Sequence, residues 1–210
     1  MAIKISLYDD NVSLLESLSY LIQGTPGFEL YNASSNASNI IDDCKQLYPD
    51  VILMDIDMPR VSGIEATMMV KNAFPDINVM ILTVFEDKNK IFDALCAGAT
   101  GYMFKKSSSA ELIESIEELH KGGSPMSSGI ARKVLAYFAK RTNSVKDDKY
   151  QLTKHEREIL QCLLTGDNYK MIAEKFDVTV GTVCSHINTI YKKLHANVKE
   201  LKIENECKST

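Results

Sequence analysis

Residues 51–59 read Val-Ile-Leu-Met-Asp-Ile-Asp-Met-Pro, an apolar run followed by two acidic residues and a proline. The run does not alternate between apolar and polar side chains, which indicates a strand covered on both faces in the middle of a parallel sheet. Ligands of such sheets bind at the carboxyl ends of the strands. Asp55 and Asp57 therefore mark a candidate binding edge.

The same pattern recurs along the first 120 residues, where short apolar runs alternate with segments of helical periodicity. Further strands are predicted at 3–8, 28–34, 78–84 and 101–104, and helices near 12–23, 37–47, 63–73, 87–97 and 109–121. Five repeats of this size predict an α/β doubly wound fold with a five-stranded parallel sheet.

Polar side chains follow the other strands at equivalent places. Asp9 and Asp10 come after the first predicted strand, Thr83 lies near the end of the fourth, and Lys105 follows the fifth. Carboxylates with water and carbonyl oxygens are the ligands that Mg²⁺ prefers. A carboxylate such as that of Asp55 can also act as a nucleophile toward phosphorus, with Lys105 and Thr83 available to the phosphoryl oxygens.

The second part of the chain differs in charge and in pattern. Residues 1–124 hold 18 acidic and 9 basic residues, whereas residues 150–210 hold 8 and 9. A linker is predicted over 125–149, with a helix at 127–141, and it separates two units with different partners. Residues 150–210 predict a small all-α unit in which two helices joined by a short turn form a helix-turn-helix.

The order of these residues resembles the receiver domain of two-component response regulators, a flavodoxin-like fold, and the last unit resembles a LuxR-type helix-turn-helix. Together they resemble the NarL/FixJ class. The resemblance implies that Asp55 is the phosphoacceptor and that Tyr102 is the switch aromatic. It also implies that Mg²⁺ is held by Asp10, Asp55 and the backbone carbonyl of Asp57, with Asp9 acting directly or through water.

In the helix-turn-helix, the resemblance implies that the helix beginning at Val180 enters the major groove of DNA. The candidate DNA-contacting residues are Lys170, Thr179, Thr182, Cys184, Ser185, Asn188, Lys192 and Lys193. Lys192 and Lys193 either contact the phosphate backbone or complement the helix dipole. Cys184 stands where the family usually has Lys, so we expect modest affinity for DNA from a single copy.

Two other features bear on the cellular compartment and on access to Asp55. The five cysteines are scattered without metal-ligand spacing, and neither a secretory signal nor a membrane-spanning run is evident, so we expect a cytoplasmic protein without a membrane partner. Val84 follows Thr83 where the family most often has Ala, and we expect it to narrow access to Asp55.

The resemblance implies a phosphorylation-switched transcription regulator rather than an enzyme. Its partners would be a sensor histidine kinase, double-stranded promoter DNA and, on activation, a second copy of the chain. Residues after Lys199 offer few apolar contacts, so a receiver surface is expected to carry dimerisation. Two alternatives remain: a constitutive DNA-binding protein with an unphosphorylated receiver, and an aspartyl-phosphate phosphatase suggested by the Asp55-Ile-Asp57 motif.

Overall fold

The first unit contains five strands that all run parallel to their neighbours. They are β1 (Ile3–Tyr8), β2 (Phe28–Ser34), β3 (Val51–Asp55), β4 (Asn78–Thr83) and β5 (Gly101–Phe104). The computed structural model describes residues 2–84, 88–132, 151–187, 189, 190 and 193, and it orders the strands β2-β1-β3-β4-β5. This order confirms the predicted flavodoxin-like sheet. Its strands are added on one side of β1 and then on the other, so the strand order reverses between β1 and β3.

Four helices connect the strands, and a fifth follows the last strand. They are α1 (Val12–Gly24), α2 (Ile40–Leu47), α3 (Gly63–Ala73), α4 (Lys88–Cys96) and α5 (Ser109–His120). The predicted helices are confirmed, but α2 begins three residues later than expected. The side chain of Asn36 accepts a hydrogen bond from the backbone nitrogen of Ser38, and such local bonds compete with helix formation.

Both faces of the sheet are covered by apolar side chains. On one face, residues such as Ile5, Leu53 and Leu82 pack with Leu18 of α1 and Ile116 of α5 in a buried cluster. The alternate residues of the strands are directed to the other face and are also buried, including Ile52, Met54 and Ile81. Burial on both faces explains why the central strands lack an apolar–polar alternation.

The first compact unit ends at Met126, and the second begins at Ser127. It contains α6 (Lys154–Thr165) and α7 (Tyr169–Phe176). A third helical segment follows at 180–187. Asp177, in the left-handed conformation at φ 52°, ends α7 and begins the turn. The predicted helix-turn-helix spacing is therefore confirmed.

The linker boundaries of 125–149 and its helix at 127–141 stay predictions. Residues 128–132 are helical, and the remainder of that predicted helix lies outside the described residues. In the parts of the chain that the structure describes, no helix is both long and apolar enough to cross a membrane.

Gly63, the first residue of α3, lies directly against the strand that carries Asp55. Its backbone nitrogen donates to the carbonyl oxygen of Ile56 at 2.8 Å. A Cβ added at Gly63 would overlap the carbonyl oxygen of Asp55. The start of α3 is also fixed by a capping box between Ser62 and Glu65. Moving the helix away from Asp55 to make room for a side chain would break both bonds of the capping box.

We predict that Gly63→Ala destabilises the first unit by about 2 kcal/mol or more, because the new methyl group displaces backbone atoms. Gly24→Ala is the matched control, since nothing lies within 4 Å of its added Cβ. It should leave the stability within about 1 kcal/mol of wild type. The measurement is chemical denaturation of both variants, and equal stabilities would contradict the proposed steric conflict.

Candidate functional site

The carboxyl ends of β1 and β3 bring three carboxylates together. Asp9, Asp10 and Asp55 each offer an oxygen atom, and these atoms lie within 4.8 Å of one another. Asp9 and Asp55 are buried, whereas Asp10 is exposed. We call these three residues the acidic cluster. Parallel pairing of β1 and β3 explains the proximity, because Tyr8 lies opposite Met54 in the register.

Lys105 joins two members of the acidic cluster. Its Nζ atom lies 2.7 Å from Oδ2 of Asp9 and 2.9 Å from Oδ2 of Asp55, and its side chain is only 10% exposed. Burial alone would lower the pKa of Lys105, but the hydrogen bonds and charges of Asp9 and Asp55 raise it above its ordinary value. The ammonium group is therefore charged and tightly held.

The pKa of Asp55 is raised above its ordinary value, although Lys105 lies beside its carboxylate. Burial raises its pKa, with a further contribution from the charge of Asp9, while Lys105 and the backbone nitrogen of Ile56 oppose the rise. The Ile56 nitrogen donates to Oδ1 of Asp55 at 2.8 Å. The other carboxylate oxygen, Oδ2, forms the ion pair with Lys105.

The acidic cluster fits a hard divalent cation. Three carboxylates against one ammonium leave an excess of negative charge at this end of the sheet, and burial makes that excess costly. All of the donors are oxygen atoms, as Mg²⁺ requires, and the exposed Asp10 leaves one side open to water. Asp9, Asp10 and Asp55 are the residues that would hold the ion.

Asp57 is not part of this group through its side chain. Its carboxylate oxygens lie 2.6 and 2.8 Å from Nζ of Lys90 on α4. The expected role of its backbone carbonyl in metal binding stays a prediction. The Lys90 contact was not predictable from the sequence, because the pair joins a loop to a helix 33 residues away.

Thr83 and Tyr102 occupy the expected strands. Thr83 ends β4 in a fully buried position, and its carbonyl oxygen accepts a hydrogen bond from the backbone nitrogen of Lys105 at 2.9 Å. Tyr102 is 1% exposed, so its side chain is buried. Its expected role as the switch aromatic stays a prediction.

Val84 lies beyond the end of β4 with 62% of its surface exposed. Its side chain is therefore largely in solvent. The expectation that it narrows access to Asp55 stays a prediction.

In the second unit, the third helical segment begins with a side-chain cap. Thr179 accepts a hydrogen bond from the backbone nitrogen of Thr182 at 3.1 Å, and the two hydroxyl groups lie 2.9 Å apart. Ser185 is exposed and donates to the carbonyl oxygen of Gly181, while Cys184 is half-buried. Lys170 is exposed on α7. These residues stay predicted DNA contacts, and Asn188 and Lys192 lie outside the described residues.

Lys193 has an intramolecular role that the sequence interpretation missed. Its Nζ atom lies 2.9 and 2.8 Å from the carboxylate oxygens of Glu156 and 3.1 Å from the carbonyl oxygen of Gln151. Glu156 is buried and also accepts from the backbone nitrogen of Thr153 in the predicted capping box. Burial tends to raise the pKa of Glu156, but Lys193 and Thr153 together lower it below its ordinary value.

The pairing gives Lys193 a structural role, because its ammonium group compensates a buried carboxylate. Its expected contact with the DNA backbone or with the helix dipole stays a prediction. The capping box was visible in the sequence, yet nothing there showed that Glu156 is buried and needs a cation.

We predict that Asp55→Asn stabilises the metal-free protein at pH 7. The folded state holds a proton on Asp55 more tightly than the unfolded chain, so stability falls as pH rises from about 4 through the raised pKa. Thermal unfolding in chelator should give a higher Tm for the variant, and saturating Mg²⁺ should narrow the difference. Asp57→Asn is the control, because its half-exposed carboxylate lies outside the cluster. A lower Tm for Asp55→Asn would contradict the account.

We predict opposite effects for two lysines of the second unit. Lys193→Met should destabilise the unit by about 1–3 kcal/mol, because Glu156 would be buried without its cation. The exposed Lys170→Met should keep its stability but weaken DNA binding and lower the salt slope by about one. Chemical denaturation and salt-dependent DNA titrations measure the two effects. A stable Lys193→Met with an altered salt slope would instead favour a DNA contact by Lys193.

Comparisons with known proteins agree with both units. Residues 5–117 match the response regulator receiver domain, and residues 150–200 match the luxR family of bacterial regulatory proteins. The chain is 34% identical over 196 residues to the uncharacterized transcriptional regulatory protein YxjL of Bacillus subtilis strain 168, covering 92% of this chain and 90% of YxjL. It is 33% identical over 200 residues to LnrK, a transcriptional regulatory protein of the same strain, covering 91% and 90%.

Among solved structures, the response regulator ChrA of a heme-sensing two-component system is similar. The TM-score is 0.55 and the identity 27%, with 91% of this chain and 90% of ChrA covered. The matches extend over both units, the receiver-like sheet and the helical second unit. The chain therefore belongs to the response regulators that join a receiver domain to a LuxR-type DNA-binding domain and regulate transcription.

Proposed function

We propose that Asp55 is the phosphoacceptor of this response regulator and that a sensor histidine kinase is the donor. The observation that carries the proposal is the position of Lys105, which lies within 3 Å of both Asp9 and Asp55 at the carboxyl ends of adjacent strands. An ammonium group held in this place can neutralise charge on a phosphoryl group carried by Asp55.

The transfer requires one bond to form and one to break. An oxygen of Asp55 attacks the phosphorus of a phosphohistidine, the phosphorus–nitrogen bond breaks, and the imidazole leaves and takes up a proton. Mg²⁺, held by Asp9, Asp10 and Asp55, would neutralise phosphoryl oxygen charge. Lys105 would turn from the free carboxylate of Asp55 to the new phosphoryl oxygens, and the hydroxyl of Thr83 would donate to another.

The movement of Lys105 from the Asp55 carboxylate to the phosphoryl oxygens would couple phosphorylation to a change in receiver conformation. An added phosphoryl group alters the charge at the ends of β3, β4 and β5 and so favours one of two existing receiver conformations. We propose that this conformation forms a homodimer through a receiver surface and that the paired helix-turn-helix units bind double-stranded promoter DNA. The protein would act in the cytoplasm, and its only covalent chemistry would be its own phosphorylation and dephosphorylation.

A constitutive DNA-binding protein is the alternative, in which the helix-turn-helix binds DNA whether or not Asp55 carries a phosphoryl group. In that case a phosphodonor would change neither the size of the particle nor its affinity for DNA. Asp55 ends the third strand, which argues against the phosphatase alternative, because that motif normally lies at the first strand of its fold.

We predict that acetyl phosphate with Mg²⁺ adds one phosphoryl mass to the wild type and none to Asp55→Asn. Binding-site selection on genomic DNA and particle sizing, each with and without the phosphodonor, give the functional readout. Dimer formation and at least about tenfold tighter DNA binding are expected only for the phosphorylated wild type. Asp57→Asn is the control and should still gain the phosphoryl mass. Equal DNA binding and size in all samples would establish the constitutive candidate instead.

A further inference from the structure

Tyr8 is a fully buried polar side chain immediately before the acidic cluster. Its ring is 1% exposed, and its hydroxyl group donates to Oδ2 of Asp43 on α2 at 2.9 Å. Nδ2 of Asn32 on β2 donates both to the Tyr8 oxygen at 3.1 Å and to the same Asp43 oxygen at 3.2 Å. We call Tyr8, Asn32 and Asp43 the tyrosine network.

A β-bulge makes the tyrosine network possible. The register between β1 and β2 pairs Ile5 with Leu30 and then Ser6 with Asn32, so Tyr31 is an extra residue in β2. Without the extra residue, Asn32 would lie opposite Leu7 and share its face of the sheet, away from Tyr8. The bulge places Asn32 on the face of Ser6 and Tyr8, toward α2. β-bulges are frequent beside functional sites, where they change the direction of a side chain in this way.

The tyrosine network fixes the strand end that carries the acidic pair. Tyr8 is the last residue of β1, and the backbone nitrogen of Asp9 donates to the carbonyl oxygen of Ser34 at the end of β2. Oδ1 of Asp9 accepts from the backbone nitrogen of Asn11, the cap of α1. The end of β1 is thus bonded on one side to α1 and on the other to β2 and α2.

Burial of an aromatic ring does not require the hydroxyl group. Phenylalanine would fill the same space and would spare the desolvation of a phenol and a carboxylate. What the hydroxyl adds is a directional link between α2 and the end of β1. Mg²⁺ demands nearly ideal octahedral geometry, so small displacements of Asp9 and Asp10 reduce its affinity. Groups beyond the ligands that orient them affect metal affinity by tenfold or more in other sites.

We propose that Tyr8, through Asn32 and Asp43, is a positioning residue that holds Asp9 and Asp10 in the arrangement required to bind the metal ion. This inference rests on the proposed function, in which the acidic cluster binds Mg²⁺ and Asp55 is phosphorylated. Tyr8 itself touches neither the metal nor the phosphoryl group.

The test compares Mg²⁺ binding by the full chain in the wild type, Tyr8→Phe, Asp43→Asn and Ile22→Val. Ile22 is fully buried in α1 on the other face of the sheet, and its substitution should cost about 0.5–1.5 kcal/mol without reaching the tyrosine network. Mg²⁺ affinity is read from the rise of Tm with Mg²⁺ concentration and from calorimetry, and intact mass after acetyl phosphate treatment gives the phosphorylation rate.

Tyr8→Phe should raise the half-saturating Mg²⁺ concentration about threefold or more, yet keep phosphorylation at saturating Mg²⁺ within about twofold of wild type. Asp43→Asn retains an acceptor for Tyr8 and should shift the half-saturation in the same direction by less. Ile22→Val should lower Tm and leave the half-saturation unchanged.

An unchanged half-saturation in Tyr8→Phe would overturn the inference, and a loss of stability alone would show that the network is merely structural. If Tyr8→Phe does not fold, Asp43→Asn decides, because its half-exposed side chain tolerates the change and an unshifted value would overturn the inference equally. A wild type that shows neither Mg²⁺ stabilisation nor phosphorylation would instead contradict the proposed function and the inference with it.

Discussion

Lys105 joins two of the three carboxylates at one end of a parallel sheet, and the chemistry of the receiver depends on this arrangement. Asp9 and Asp55 are buried within ion-pair distance of its ammonium group. Without that cation, the folded protein would have to tolerate two buried charges of the same sign. Because three negative charges face one positive charge, the arrangement favours a divalent metal, which together with Lys105 would offset the charge of a phosphoryl group.

The fold creates this constraint and also supports it. Parallel pairing of β1 with β3 and of β4 with β5 brings the polar ends of the strands to one edge. Gly63 allows α3 to begin against the backbone of Asp55, and the tyrosine network holds the end of β1 against α2. The second unit shows the same use of charge: Lys193 compensates the buried Glu156, which fixes the cap of α6.

Much of this could be predicted from the sequence because the signals are local. Apolar runs without alternation gave the strands, and capping residues such as Ser108 and Thr153 gave helix starts. The order of polar residues at strand ends predicted which side chains meet.

Contacts between distant elements were also beyond the sequence. Lys90 and Asp57, Lys193 and Glu156, and Tyr8 and Asp43 are each separated by more than 30 residues, and no periodicity links them. The β-bulge at Tyr31 lies within a run that looks like an ordinary strand. A bulge of this kind matters because a one-residue shift in strand pairing moves the following side chains to the other face of the sheet.

The most direct test of the central claim is a crystal structure of the full chain with Mg²⁺ and a beryllofluoride phosphoryl analogue. The account predicts that the metal contacts oxygens of the acidic cluster, that the analogue is bonded to Asp55, and that Lys105 has left the Asp55 carboxylate for the analogue. A structure in which Lys105 still joins Asp9 to Asp55, with the metal or the analogue bound elsewhere, would contradict it.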